Sequence, residues 1–80
     1  MPHVTIKLFP GKTEEQKSAL AEKIVQDVMA TLGNREASIS VAFEEVPQDD
    51  WMATVFEPEI AHGRGKLYRK PGYGPAIERD

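Results

Sequence analysis

The apolar residues in the first half of the chain change their spacing twice, and this change constrains the fold more than any other feature. In residues 3–9 apolar and polar side chains alternate, which is typical of a strand with one buried face. In residues 20–32 apolar side chains recur every four positions, which predicts an amphipathic helix. Alternation returns in residues 39–46. This order predicts an α/β (α+β) fold: a single βαβ unit whose parallel strands are joined by a right-handed crossover.

Both ends of the predicted helix carry residues that favour helix termini. Thr13 and Gln16 have the spacing of a capping box, in which the threonine hydroxyl accepts from a first-turn amide and the glutamine reaches back to the cap. Glu14 and Glu15 place negative charge near the positive end of the helix dipole. Gly33 can adopt the positive φ that ends many helices. These signals place the helix between Thr13 and Gly33.

The sequence after residue 46 is less regular and predicts short elements. Pro47 ends the second strand, and residues 48–51 have the composition of a capped helical turn that positions Trp51, the only tryptophan. Pro58 suits the first turn of a helix, so residues 57–62 are predicted to form a short C-terminal helix. We interpret residues 1–80 as one domain.

The size of the chain makes self-association the expected route to a stable core. Eighty residues, 40% of them hydrophobic, are near the lower limit for an independent core, and there is no cysteine for a disulfide. A two-stranded sheet under one helix leaves one face and its edges without cover. A second copy of the chain is the simplest partner, so we expect a homodimer.

Composition and charge argue against several other classes of function. The formal net charge of −3 disfavours a general nucleic-acid-binding protein, which would normally be basic. The apolar stretches are too short to span a bilayer and no signal peptide is visible, so we expect a cytoplasmic protein without a membrane partner. His3 and His62 lack the spacing of metal ligands, so no metal is expected. A basic cluster is interpreted as a solvated face: Arg64, Lys66, Arg69 and Lys70.

The second residue is the strongest candidate for chemistry. Initiator methionine is commonly removed when the next residue is small, and removal of Met1 would leave Pro2 as a secondary amine at the head of a strand. Model α-amino groups titrate near roughly 8, and desolvation or a neighbouring cation lowers that value toward working pH. Such an amine can act as a general base. The alternative is that Pro2 is an ordinary second residue.

The order of these features resembles the 4-oxalocrotonate tautomerase family of the tautomerase superfamily. The resemblance rests on the Met-Pro start, the first strand, the Glu-Glu-Gln-Lys opening of the helix at residues 14–17 and the second strand. Within the family it is strongest to the PptA group, through residues 6–10, 38–40, 59–61 and 70–73. The resemblance implies a tautomerase (MIF-like) fold that is completed by oligomerisation, and an isomerase that needs no cofactor. Hexamers of the family form when three dimers associate, and the shorter hexameric members lack a segment equivalent to residues 57–73. We therefore expect this segment to cover further surface and to stop growth at two subunits.

The functional positions of that family fall on four residues of this chain. The catalytic N-terminal proline corresponds to Pro2, and an arginine that binds the substrate carboxylate corresponds to Lys12, which lacks the planar fork of a guanidinium. A second arginine corresponds to Ser40, and an aromatic residue that lines the pocket corresponds to Trp51. Simpler readings remain open, because an exposed lysine near a turn is usually only solvated and a lone tryptophan is often a core or interface anchor.

The resemblance therefore implies a cofactor-independent keto–enol tautomerase with the amine of Pro2 as its general base. Loss of the second arginine argues for a monocarboxylate, so the expected substrates are enols of 2-oxo acids such as phenylpyruvate, or 2-hydroxydienoates. The alternative from another class is a non-catalytic dimeric small-ligand-binding or scaffold protein of the same fold. Retention of Met1 would block the amine and favour that alternative.

Overall fold

The computed structural model describes residues 1–79, which form two compact units. The first unit contains residues 1–46, and the second begins at Pro47. The interpretation of residues 1–80 as one domain stays a prediction.

The first unit is a βαβ unit, as the spacing of its apolar residues predicts. Strand β1 is His3–Leu8, helix α1 is Glu14–Leu32 and strand β2 is Ser40–Glu45. A 3₁₀ turn, Glu36–Ser38, precedes β2. The two strands pair in parallel, from His3 opposite Ser40 at one end to Leu8 opposite Glu45 at the other. The predicted fold class is therefore confirmed.

Side-chain and backbone hydrogen bonds close both ends of α1. The Gln16 amide N–H donates to Thr13 Oγ1 at 3.0 Å, and the Thr13 N–H donates to Gln16 Oε1 at 2.9 Å. These two bonds form the predicted capping box. At the other end Gly33 has φ 76°, and its N–H donates to the Met29 carbonyl at 3.0 Å. A residue with a Cβ would be strained there, which explains the glycine.

The half-buried side of α1 differs from the prediction at Leu20 and Leu32. Half-buried positions form one stripe along the helix: Lys17, Ala21, Ile24, Val25, Val28 and Met29. Leu20 and Leu32 were predicted on this apolar side, but they are 43% and 66% exposed. A spacing of four residues advances about 400° around an α-helix, so it drifts by about 40° at each step. A stripe drawn through Leu20 and Leu32 therefore leaves the sheet-facing side at its ends.

The two faces of the sheet have different chemistry. Val4, Ile6, Val41 and Phe43 alternate with polar neighbours and are half-buried. The other face is more exposed and mostly polar, with three cross-strand pairs: His3 with Ser40, Thr5 with Ala42, and Lys7 with Glu44. The alternation predicted from the sequence is confirmed.

Ion pairs link the elements of the first unit at the far end of the strands from Pro2. Lys7 Nζ lies 3.2 Å from a carboxylate oxygen of Glu44. Lys17 contacts Glu14 in its own helix, and its Nζ lies 3.2 Å from a carboxylate oxygen of Glu45 in β2. Hydrogen bonds that the Lys17 ammonium donates to Glu14, and then to Glu45, raise the pKa of Lys17 above its ordinary value. The ammonium of Lys17 thus ties the first turn of α1 to the end of β2.

The second unit is built on a helix that is longer than predicted. After a 3₁₀ turn, Gln48–Asp50, a π-helix runs over Met52–Ala61. The predicted helix over residues 57–62 starts too late, because Pro58 lies inside the helix and not in its first turn. Val55 and Phe56 are the buried hydrophobic residues within residues 1–79. Burial of this adjacent pair explains why the helix begins before Pro58.

Contacts from the end of the chain hold the π-helix. Trp51 Nε1 donates to the Tyr73 hydroxyl at 2.7 Å, and the Tyr73 ring lies 5.6 Å from the Phe56 ring, centroid to centroid. The Arg79 guanidinium donates to the Ile60 carbonyl at 2.9 Å. The last turn of a helix leaves carbonyls without partners inside the helix, and an arginine can satisfy them.

Candidate active site

Pro2 lies at the head of β1, where backbone pairing fixes its position. The Ser40 amide N–H donates to the Pro2 carbonyl at 3.2 Å, one step before the first strand pair. Pro2 is half-buried, whereas Met1 is fully exposed. In the Met1–Pro2 peptide bond the proline nitrogen is an amide without a basic lone pair. Removal of Met1 would convert it into an amine whose ring leaves it little conformational freedom.

A cation that is not among the predicted site residues lies at the same edge of the sheet. Because β1 and β2 are parallel, the residues that precede both strands meet at one edge. There Met1, Arg35, Ala37 and Ser38 line a depression of about 260 Å³. Arg35 is exposed. The sequence does place Arg35 just before a strand parallel to that of Pro2, but an isolated arginine in a loop is a weak signal.

His3, Ser40 and Thr5 form a hydrogen-bonded cluster beside Pro2 on the exposed face of the sheet. His3 Nδ1 lies 2.6 Å from Ser40 Oγ, and His3 Nε2 lies 3.2 Å from Thr5 Oγ1. Ser40 is a site residue predicted from the family resemblance, whereas His3 was considered only as a metal ligand. Strand alternation and parallel register together place all three on one face, so that pattern could have revealed the cluster.

Lys12 lies at the opposite end of β1 from Pro2. The strand has six residues, so its ends are separated by about 20 Å. Within one chain the structure therefore does not bring Lys12 and Pro2 together. Lys12 is exposed and belongs to a depression of about 210 Å³ whose other lining residues are Leu8, Gln16, Lys17, Leu20 and Phe43. A positive charge beside apolar side chains suits a carboxylate with an apolar body.

Trp51 belongs to the second unit, where it is half-buried. Its indole N–H donates to Tyr73, so it has a structural role within that unit. The prediction that Trp51 also lines the substrate pocket stays a prediction.

The remaining candidate features are the basic cluster, a metal site and a membrane-spanning helix. Arg64, Lys66, Arg69 and Lys70 are all exposed, in agreement with a solvated basic face. Within residues 1–79 no three His, Cys, Asp or Glu side chains are arranged so that they could hold a metal ion. No helix in the same range has the length and apolar character needed to cross a membrane.

Comparison with known proteins identifies the class to which this fold and site belong. A family model described as "Tautomerase enzyme" matches residues 2–57. A probable tautomerase from Xylella fastidiosa (strain 9a5c) is 38% identical over 74 residues, which are 92% of this chain and 90% of the relative. The crystal structure of YwhB, a homologue of 4-oxalocrotonate tautomerase, has a TM-score of 0.58 and 44% identity, and the match covers 60% of this chain and 79% of that one. The chain therefore belongs to the tautomerase family of enzymes, which are isomerases.

Within that family the chain is similar to the PptA tautomerases. Tautomerase PptA from Klebsiella pneumoniae (strain 342) is 46% identical over 74 residues, which are 91% of this chain and 97% of the relative. The resemblance inferred from the sequence is confirmed. Family membership also favours an enzyme over the alternative of a non-catalytic binding or scaffold protein.

Proposed function

We propose that the protein is a cofactor-independent keto–enol tautomerase in which the amine of Pro2, exposed by removal of Met1, is the general base. The observation that carries this proposal is the position of Pro2. It is half-buried at the head of β1, its carbonyl accepts from Ser40, and removal of Met1 would turn its nitrogen into a free amine. A base must be held close to the proton that it transfers, and a ring amine at the end of a paired strand meets that requirement.

The proposed reaction is the ketonisation of the enol of a 2-oxo acid. The neutral amine of Pro2 takes the proton from the hydroxyl on C2, which leaves an enolate. The resulting ammonium then gives a proton to C3, so the O–H bond is replaced by a C–H bond and the base is regenerated. This step needs no oxidant, reductant or second substrate.

The proposed substrates are monocarboxylates with an apolar body, such as the enol of phenylpyruvate, or 2-hydroxydienoates. The depression beside Lys12 supports this choice, because it combines one accessible cation with Leu8, Leu20 and Phe43. In this proposal Lys12 binds the carboxylate, and the apolar side chains contact the rest of the molecule. Trp51 is retained as a further candidate for an apolar wall.

The separation of Pro2 from Lys12 supports a site that is shared between two chains. About 20 Å separates the ends of β1, whereas a 2-oxo acid of this size is much shorter. If both residues contact one substrate, they must come from different subunits. We therefore propose a homodimer in which each site combines Pro2 of one subunit with Lys12 of the other. A cytoplasmic location stays a prediction from the sequence.

The proposal is tested by replacement of Pro2 with alanine. Processed Pro2→Ala protein keeps an amine at the same place but loses the ring that restricts it. We expect the rate of phenylpyruvate ketonisation to fall by at least about a hundredfold, within the range of positioned acid–base catalysis. An assay of enol absorbance measures this rate, with intact mass used to verify removal of Met1. Unchanged turnover in the processed variant would rule out Pro2 as the base.

A further inference from the structure

The polar cluster beside Pro2 has a geometry that restricts where its protons can lie. Ser40 is opposite His3 in the strand register, and Thr5 follows His3 on the same face of β1. The two contacts use both nitrogens of the imidazole, at 2.6 Å to Ser40 Oγ and 3.2 Å to Thr5 Oγ1. A neutral imidazole donates from one nitrogen and accepts at the other. One hydroxyl must therefore donate a hydrogen bond to the ring. The other hydroxyl accepts a hydrogen bond from the ring, so its own proton remains available to another partner.

The state in which Ser40 keeps its proton has a defined arrangement. Thr5 donates its hydroxyl proton to His3 Nε2, and His3 Nδ1–H donates to Ser40 Oγ. The Ser40 O–H is then available to a ligand. The same hydroxyl is available when the imidazole is charged, because both ring nitrogens then donate. The ring has two neutral tautomers and one charged form, and in two of these three forms the proton of Ser40 is available to a ligand.

Ser40 lies close to Pro2, the proposed general base. Its amide N–H donates to the carbonyl of Pro2 at 3.2 Å, so the two residues are direct neighbours across the strands. In the proposed reaction negative charge develops on the oxygen at C2 when Pro2 takes its proton, and this charge is lost when Pro2 delivers a proton to the adjacent carbon, C3. A group that stabilises this oxygen must therefore lie a few ångströms from the proline nitrogen, and Ser40 is the residue of β2 whose backbone is hydrogen-bonded to Pro2.

The other charged groups on this face do not compete for the same role. Lys7 and Glu44 form the next polar cross-strand pair after Thr5 and Ala42, and they neutralise each other across 3.2 Å. Helix α1 packs on the opposite face of the sheet, against β2. The cluster therefore offers hydrogen-bond donors on this face in addition to the amine of Pro2.

We propose that Thr5, His3 and Ser40 form a hydrogen-bond relay whose last member, the Ser40 hydroxyl, donates to the enolate oxygen of the substrate. His3 and Thr5 are positioning residues, because they act only by holding Ser40 with its proton directed outward. The relay transfers no net proton: the enol proton goes to Pro2, and Ser40 keeps its own. This inference rests on the proposed function, since the enolate arises only in that reaction.

Substitutions of the three relay residues test the relay, because their effects on kcat and on KM can be measured separately. Because an enolate exists only after the proton has left, Ser40→Ala is expected to lower kcat by on the order of a hundredfold with little change in KM. Ser40→Thr keeps the hydroxyl and is expected to restore most of the activity. His3→Phe is expected to resemble Ser40→Ala, and Thr5→Val, which keeps the shape of the side chain, to give a smaller fall in kcat.

A matched control is the second histidine of the chain. His62 is exposed in the second unit and pairs with Glu57 at 2.9 Å. His62→Gln is expected to leave both kinetic constants unchanged. A change in KM alone for Ser40→Ala, or equal losses in Ser40→Ala and Ser40→Thr, would overturn the assignment of Ser40 to the enolate oxygen.

Imidazole NMR provides a readout that does not depend on turnover. Nitrogen-15 shifts distinguish the two neutral tautomers, and the spectrum of the His62→Gln variant identifies the signals of His3. We expect His3 to carry its proton on Nδ1, and its signals to move when the unreactive 3-phenyllactate, which keeps an oxygen at C2, is added to the Pro2→Ala protein. A neutral ring protonated at Nε2, or signals that 3-phenyllactate leaves unchanged, would overturn the relay. Full activity of Pro2→Ala would instead refute the proposed base, so the two failures are distinguishable.

Discussion

At the scale of single residues, Lys12 and Arg35 offer two different cations to a substrate carboxylate. Lys12 follows β1 and lies beside apolar side chains, whereas Arg35 precedes β2 at the same edge as Pro2. The resemblance to the family directs attention to Lys12, and only the parallel register of the strands directs attention to Arg35. The family resemblance therefore points to Lys12, which can reach a substrate at Pro2 only from a second chain. The structure adds Arg35, which lies at the Pro2 edge of the same chain.

The proposed role of Lys12 is tested by replacements that separate charge from chain length. Lys12→Met keeps the apolar stem and is expected to raise KM by roughly ten- to a hundredfold with little change in kcat, because a hydrogen bond to a charged group contributes roughly 1.5–3 kcal/mol to ground state and transition state alike. Lys12→Arg should retain or improve binding. Steady-state kinetics on phenylpyruvate enol provide the measurement.

Two further variants complete that test. Lys23→Met removes an exposed lysine from the middle of α1 and should leave KM unchanged. If Lys12→Met behaves like this control while Arg35→Met raises KM, the carboxylate is bound at the Pro2 edge of the sheet and the assignment of Lys12 is wrong.

At the scale of secondary-structure elements, the βαβ unit could be predicted because its signals are local. Strand alternation, the capping box of Thr13 and Gln16, and the positive φ of Gly33 each depend on neighbours within a few residues. The exposure of Leu20 and Leu32 could not be predicted, because it depends on which side of the helix meets β2.

The π-helix could not be predicted from the sequence, for a related physical reason. Proline is usually a start signal, but Pro58 lies inside Met52–Ala61, where the helix closes with a bond from the His62 N–H to the Glu57 carbonyl at 3.2 Å. A π-helix is rare, and local propensities favour an α-helix that begins at the proline. The burial of Phe56 depends on its packing against the turn near Gly74, which lies far along the sequence.

The packing of that turn gives a prediction with an internal control. Gly74 has φ 80°, and a Cβ there would lie 2.9 Å from Cε2 of Phe56. Gly74→Ala therefore combines backbone strain with overpacking and should lower the free energy of unfolding by roughly 1–3 kcal/mol. At Gly72 a Cβ would meet nothing within 4 Å, so Gly72→Ala should change stability much less. Urea unfolding of both variants measures the difference, and equal stabilities would contradict the close packing of Gly74 on Phe56.

At the scale of the whole molecule, the shortage of buried side chains favours self-association. Among residues 1–79 the buried hydrophobic residues are Val55 and Phe56, both in the second unit, and no residue of α1 is buried. Large apolar side chains are exposed in the first unit: Phe9, Leu20 and Leu32. A small chain that leaves so much apolar surface in water gains stability when a second copy covers it.

We therefore expect sedimentation equilibrium at micromolar concentration to give a dimer, with twice the 8.9 kDa mass of the chain. The midpoint of thermal unfolding should also rise with protein concentration, since dissociation accompanies unfolding. A stable monomer would contradict both the need for cover and the shared site. A hexamer would show that residues 57–73 do not limit growth to two subunits.

The most direct test of the central claim compares two preparations of the unaltered chain, one that retains Met1 and one that has lost it. Intact mass spectrometry identifies each preparation, and the same assay of phenylpyruvate enol measures turnover in both. We expect turnover only in the processed protein, because the nitrogen of Pro2 is a non-basic amide as long as Met1 is attached. Equal turnover by the Met1-retaining protein would show that a group other than the amine of Pro2 moves the proton.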